Sequence, residues 1–69
     1  MQMVPVQSEA IAEVGYDPAT RTMRVKFAKT GTYDFHDVPP EKHAALMAAD
    51  SKGRHFQTRI RLHHEFKKL

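Results

Sequence analysis

The chain has 69 residues, no cysteine and a net charge of +3 at pH 7, which indicates one small domain with a thin core and marginal stability. The lack of cysteine excludes disulfide bonds and cysteine-ligated metal sites. The longest apolar run, residues 44–49, falls far short of the roughly 20 residues that span a bilayer, and the first residues do not form a secretion signal, so we expect a cytoplasmic protein without membrane contact.

Residues 1–8 are predicted to form either an extended arm or a short edge strand, because valines alternate around Pro5, which edge strands tolerate. Residues 11–16 are predicted to form a strand with alternate apolar side chains on one face. Gly15 inside this strand indicates a bulge or a close backbone approach. Residues 17–20 then have the composition of a turn.

The next two segments have the strongest strand pattern in the chain. In residues 22–28, apolar side chains alternate with arginine and lysine, so one face is expected to be buried and the other solvated. Residues 29–31 close a hairpin, and residues 32–37 return as a strand with Tyr33 and Phe35 on one face. Three short strands joined by tight turns predict an antiparallel meander.

Helical signals follow the meander. Two prolines and a glutamate begin a helix over residues 39–49. Ser51 is a suitable N-cap for a second helix over residues 52–62, whose Phe56 shares a face with the apolar residue four positions later. Residues 63–69 form a basic tail without a clear period.

These elements predict an α+β fold for a single domain spanning residues 1–69. A three-stranded antiparallel β-meander is followed by two helices packed on its apolar face, in the order βββαα. The predicted core consists of Val14, Tyr16, Met23, Val25, Phe27, Tyr33, Phe35, Leu46, Met47, Phe56 and Ile60.

Several short motifs occur in an order and spacing that resemble the KTSC domain, a short module found alone in bacteria and at the C-terminus of some lysyl-tRNA synthetases. They are Val14-Gly15-Tyr16-Asp17, the pair Tyr33 and Phe35, Val38-Pro39-Pro40, Leu46, Ser51-Lys52-Gly53 and Ile60-Arg61. The sequence departs from the family at Phe35, where a second tyrosine is usual, and at His43, where an aromatic residue is usual. The resemblance implies no established activity, and it implies RNA binding only through the association with a tRNA-handling enzyme.

Basic residues are concentrated in the C-terminal part of the sequence. Residues 1–50 carry a net charge of −2, whereas residues 51–69 carry +5. Arginine and lysine neutralise phosphates and release counterions, and arginine adds bidentate phosphate geometry. The candidate nucleic-acid-binding residues are Lys52, Arg54, Arg59, Arg61, Lys67 and Lys68. The alternative is an ordinary solvated helix face.

Tyr33 and Phe35 are candidates for stacking on nucleobases. The alternative is that they form the floor of the core, since the other apolar residues of the meander share their face. The opposite face of the sheet carries charged residues of both signs, which indicates cross-strand ion pairs or an extension of the basic surface. These residues are Arg24, Lys26, Asp34 and His36.

No residue pattern indicates a metal site or a catalytic site. The five histidines, His36, His43, His55, His63 and His64, contain no pair at the spacing of a helical zinc motif. Asp34 and Asp37 lie three residues apart, but a carboxylate pair needs a desolvated cleft to shift its pKa values. We therefore expect no metal, no cofactor and no enzymatic activity.

Two functions remain open from the sequence. The first is a small nucleic-acid-binding module, with RNA favoured over DNA, that uses the basic C-terminal helix. The alternative is a protein-interaction or self-associating adaptor, in which a protein partner or a second copy completes the thin core through Leu62, Phe66 or the sheet edge.

Overall fold

The computed structural model describes all 69 residues and contains a five-stranded antiparallel sheet with two helices packed on one of its faces. The strands are β1 (Met3–Pro5), β2 (Ile11–Asp17), β3 (Thr22–Phe27), β4 (Gly31–Phe35) and β5 (Phe66–Lys68), and the helices are α1 (Pro40–Ala48) and α2 (Lys52–Arg59). The order of the strands in the sheet follows the sequence, from β1 to β5. The predicted α+β class is confirmed.

The predicted number of strands is wrong, because the structure adds one strand at each edge of the three-stranded meander. β5 pairs with β4 and places Phe66 opposite Phe35, and the N–H of Leu69 donates to the carbonyl of Thr32 at 2.8 Å. β1 is the edge strand that was one of the two alternatives for residues 1–8, whereas the three residues of β5 are too few for alternation to be recognised. Residues 63–69, predicted as a tail, therefore contribute a strand to the sheet.

The N-terminal edge of the sheet explains the glycine in β2. Residues 1–8 contain the edge strand β1, in which Met3 is opposite Gly15. A Cβ atom at Gly15 would lie 2.6 Å from Sδ of Met3, so the glycine permits the close approach that was one of its two predicted roles. The irregularity in the pairing of β2 with β3 lies elsewhere, between Ile11 and Glu13.

The core lies between one face of the sheet and the two helices. Its nine buried apolar side chains are Ile11, Val14, Met23, Val25, Phe35, Val38, Leu46, Phe56 and Ile60. Ile11 was not predicted; it is buried together with Val14 because the irregularity in β2 shifts the alternation of side chains. Val38, also not predicted, is fixed where the chain enters α1, and its N–H donates to the carbonyl of Arg21 at 2.9 Å.

Both helices begin where the sequence predicts. Pro39 occupies the N-cap position of α1 and Pro40 is its first residue. The hydroxyl of Ser51 accepts a hydrogen bond from the N–H of Arg54 at 3.4 Å, which confirms the predicted N-cap of α2. Neither helix has the length and apolar character that crossing a membrane requires.

The second helix ends earlier than predicted. α2 stops at Arg59 rather than Leu62, because the N–H groups of Ile60 and Arg61 both donate to the carbonyl of Phe56 at 3.0 Å. This closes the hydrogen-bond ladder of the helix. Arg61 therefore lies in the turn after α2 rather than on the helical face predicted for it.

Candidate functional site

An open groove between α2 and the β5 edge of the sheet is lined mainly by aromatic side chains. Its volume is about 390 Å³, within the range of about 300–1,000 Å³ that is usual for ligand pockets. We call it the aromatic groove; its lining residues are Phe27, Thr30, Tyr33, Phe35, Phe56, Gln57, Arg61 and Phe66.

Two buried rings form the floor of the aromatic groove. Phe35 and Phe56 are each 3% exposed, and their ring centroids lie 5.0 Å apart at an interplanar angle of 76°. This edge-to-face arrangement is favoured between aromatic rings. Phe35 is therefore part of the core and is closed to a stacking base.

The rings that remain accessible stand at the wall of the aromatic groove. Tyr33 on β4 is half-buried, and Phe66 on β5 is 57% exposed; their centroids lie 5.7 Å apart. Both face α2, because Tyr33 and Phe35 alternate on β4 and Phe66 is paired with Phe35. Tyr33 thus contributes its body to the core and keeps an exposed edge.

Two cations lie beside the aromatic groove, and no carboxylate lines it. Nη1 of Arg61 donates to Oε1 of Gln57 at 2.9 Å, which orients the guanidinium group and leaves its other donors free of protein partners. Nζ of Lys68 lies over the ring of Tyr33, 5.8 Å from the centroid. The groove therefore combines exposed aromatic surface with positive charge.

The remaining predicted basic residues do not join these two cations in one surface. Arg54 is exposed on α2, and Arg59 lies with Lys42 and His63 around a separate depression. Nζ of Lys52 donates to the carbonyl of Ala49 at 3.1 Å, at the start of α2. The six predicted cations are thus distributed around the domain.

Lys67 lies on the opposite side of the sheet from the aromatic groove. It is paired with Asp34, whereas its neighbour Lys68 is paired with Tyr33. Consecutive residues of a strand project to opposite faces. Lys67 and Lys68 therefore project from opposite faces of the sheet.

That opposite face is occupied by ion pairs. Arg24 and Asp34 form a bidentate pair, with Nε to Oδ1 at 2.7 Å and Nη2 to Oδ2 at 3.0 Å, and Lys26 lies 3.9 Å from Glu13. The hydrogen bond from Arg24 holds the pKa of Asp34 below its usual value. The predicted cross-strand ion pairing on this face is confirmed.

Two of the five histidines, His43 and His64, are engaged in structural contacts. His64 connects the segment before β5 to the rest of the fold: its Nδ1 lies 3.0 Å from the carbonyl of His36 and its Nε2 lies 2.9 Å from Nζ of Lys42. Burial, and then the charge of Lys42, lowers the pKa of His64. His43 is stacked on Tyr16, and burial lowers its pKa. No group of three or more histidine, aspartate or glutamate side chains is arranged to hold a metal ion.

The sequence did not indicate five of the residues that line the aromatic groove as site residues. It assigned Phe27 and Phe56 to the core and Phe66 to an adaptor surface, and it gave Thr30 and Gln57 no functional role. These residues come together because β5 pairs with β4. A strand of only three residues is difficult to predict from the sequence. The spacing of Phe66 and Lys68 by two residues, which places both on one face if the segment is a strand, was the available signal.

Comparisons with known proteins agree on one family. The sequence model of the KTSC domain matches residues 7–64. The crystal structure of a KTSC domain protein from Yersinia pestis superimposes with a TM-score of 0.97 at 38% sequence identity, covering 99% of this chain and 96% of that one.

Two bacterial relatives have comparable similarity. An uncharacterised protein of Stutzerimonas stutzeri is 43% identical over 56 residues, which cover 81% of this chain and 79% of the relative. A protein of Tsukamurella paurometabola is 46% identical over 52 residues, which cover 75% of this chain and 78% of the relative.

Proposed function

This chain belongs to the KTSC domain family, and we propose that it is a nucleic-acid-binding module, with RNA as the favoured ligand, rather than an enzyme. The observation that carries the proposal is the position of Arg61 and Lys68 beside the aromatic groove, which has no carboxylate in its lining. The binding surface is then the groove side of the domain rather than the whole of α2.

The two cations supply the attraction to phosphate. Binding of Arg61 and Lys68 to phosphates releases condensed counterions, so the logarithm of the affinity falls with the logarithm of the salt concentration by about 0.7 per phosphate contact on a single strand. Arg54 and Arg59, which are exposed on α2 outside the groove lining, add longer-range attraction that salt screens. The expected binding is therefore modest and strongly dependent on salt.

The experiment is a titration of a fluorescent single-stranded RNA decamer at several salt concentrations. Lys68→Glu is compared with Lys67→Glu, since the two residues are neighbours on β5 and project to opposite faces. The two substitutions change the charge by the same amount. Binding of a ligand on the groove side should therefore be lost in Lys68→Glu and be much less affected in Lys67→Glu. Absence of binding at low salt, or equal weakening by both variants, would contradict the proposal.

Self-association is the second candidate, and it is favoured by the exposure of two large apolar side chains. Leu62 is 85% exposed and Phe66 is 57% exposed, which a second copy could cover. The lysines of β5 would repel each other across such an interface, so salt should strengthen the dimer and weaken RNA binding. Sedimentation at high protein concentration and two salt concentrations separates the two functions.

A further inference from the structure

We propose that the aromatic groove binds an unpaired nucleobase, so that the domain selects single-stranded over double-stranded nucleic acid. This inference deepens the proposed function and rests on it, because it assigns the groove to the base and the surrounding cations to the phosphates.

The shape of the aromatic groove suits one flat apolar ligand. Tyr33 and Phe66 are inclined at 60° with centroids 5.7 Å apart, so a ring cannot be inserted between them. A base would instead lie against the exposed surface of Phe66, with the edge of Tyr33 beside it. Base–aromatic stacking of this kind tolerates different sequences because every base has a π-face.

The polar groups at the rim match the rest of a nucleotide. Arg61 lines the groove and Lys68 lies above Tyr33, so a phosphate attached to the bound nucleoside would meet positive charge. The amide nitrogen of Gln57 and the hydroxyl of Thr30 are available to the polar edge of a base, since Gln57 uses its oxygen to hold Arg61.

Charge distinguishes a nucleotide from other flat ligands. The lining contains an arginine and no acidic residue, which favours an anionic ligand over a neutral or cationic aromatic one. In a duplex, the bases are stacked inside and paired, so only phosphates could reach the domain. Single-stranded RNA presents unstacked bases next to its phosphates.

The test compares three ligands of defined chemistry with the full chain. They are a uridine decamer, an abasic ribose-phosphate decamer of the same charge, and a duplex RNA of ten base pairs. The uridine decamer should bind about fivefold or more tightly than the abasic decamer, as expected from the contribution of one stacked base, and also more tightly than the duplex.

Substitutions in the aromatic groove test whether it causes the tighter binding of the uridine decamer. Phe66→Leu keeps an apolar side chain on β5 and removes the aromatic ring, so the preference for uridine should disappear while abasic binding remains. Tyr33→Leu provides a second test if Phe66→Leu is poorly folded by circular dichroism. Leu62→Ala, which removes an exposed apolar side chain outside the groove lining, is the matched control and should keep the preference.

The outcomes separate the two levels of the proposal. Equal binding of the uridine and abasic decamers, or a preference that survives both Phe66→Leu and Tyr33→Leu, would overturn the nucleobase site and leave phosphate binding standing. Failure of all three ligands to bind at low salt would overturn both. A wild-type dimer that Phe66→Leu converts to a monomer would assign the groove to a second copy of the chain and also overturn the nucleobase site.

Discussion

The ring of His43 on α1 is stacked on the ring of Tyr16 on β2, with centroids 4.6 Å apart and an interplanar angle of 7°. The hydroxyl of Tyr16 also donates a hydrogen bond to the carbonyl of Val38, in the segment that leads into α1. Tyr16 therefore connects the sheet both to the helix and to the turn before it.

Removal of the Tyr16 hydroxyl should weaken this connection. Tyr16→Phe keeps the stack on His43 and deletes the hydrogen bond to Val38, so we expect the free energy of unfolding to fall by about 1 kcal/mol. Tyr33→Phe is the matched control, because among the side-chain hydrogen bonds of the two tyrosines only the one from Tyr16 is made within the chain. Urea denaturation measures both, and equal losses for the two variants would contradict the structural role of Tyr16.

The half-buried histidines His43 and His64 should make the domain sensitive to mild acid. Burial lowers the folded-state pKa of His43 and His64, so the unfolded chain binds more protons below the unfolded value of about 6.5. Stability should therefore be greatest above about pH 6.5 and decline as the pH falls through the folded pKa values. Thermal melts between pH 7.5 and pH 5, chosen as roughly spanning that window, measure the decline.

A substitution isolates the contribution of His43. His43→Phe keeps an aromatic ring against Tyr16 and removes the titrating group, so the decline in melting temperature with acid should be smaller than in the wild type. The remaining decline would then be assigned to His64 and its contact with Lys42. A decline that is unchanged in His43→Phe would show that His43 does not contribute to it.

The ion pair on the far face of the sheet should contribute at a lower pH. The hydrogen bond from Arg24 lowers the pKa of Asp34, so its stabilising effect is present above the unfolded value of about 3.9 and is lost as the pH falls through the folded pKa. Asp34→Asn should be less stable than the wild type at neutral pH, and the difference should vanish in strong acid. Asp50→Asn, at an exposed aspartate, is the control in urea denaturation at each pH.

Two glycines should respond in opposite directions to alanine. A Cβ at Gly53 in α2 would lie 3.6 Å from Cβ of Ala10, an ordinary contact, so Gly53→Ala should stabilise the domain by about 0.5 kcal/mol. Gly31 has a φ of +103°, where a side chain is strained, so Gly31→Ala should destabilise it by about 1 kcal/mol or more. Chemical denaturation of the pair tests both, and destabilisation by Gly53→Ala would indicate a tighter approach of α2 to the N-terminal segment.

The sequence predicts the centre of the fold well because that part has strong local signals. Alternation in β3, the proline pair at the start of α1 and the Ser51 cap each depend on near neighbours in the chain. The edge strand β5 was missed because its stability comes from pairing with β4 rather than from its own three residues, whereas β1 is the edge strand that was one of the two alternatives predicted for residues 1–8.

The candidate site was only partly accessible to prediction for the same reason. The sequence showed the basic charge of the C-terminal segment, and it identified Tyr33 and Phe35 as candidate stacking residues. Which cations share a surface depends on the early end of α2, which moves Arg61 to the groove, and on β5, which sends Lys67 and Lys68 to opposite faces. These are tertiary features that composition does not encode.

The binding face itself can be mapped directly by NMR titration of the labelled domain with a short single-stranded RNA at low salt. Binding in the aromatic groove should shift the signals of Tyr33, Arg61 and Phe66, and leave Arg24 and Lys26 on the opposite face nearly unchanged. Shifts concentrated on Arg24 and Lys26, or no shifts at all, would contradict the assignment of nucleic-acid binding to the aromatic groove.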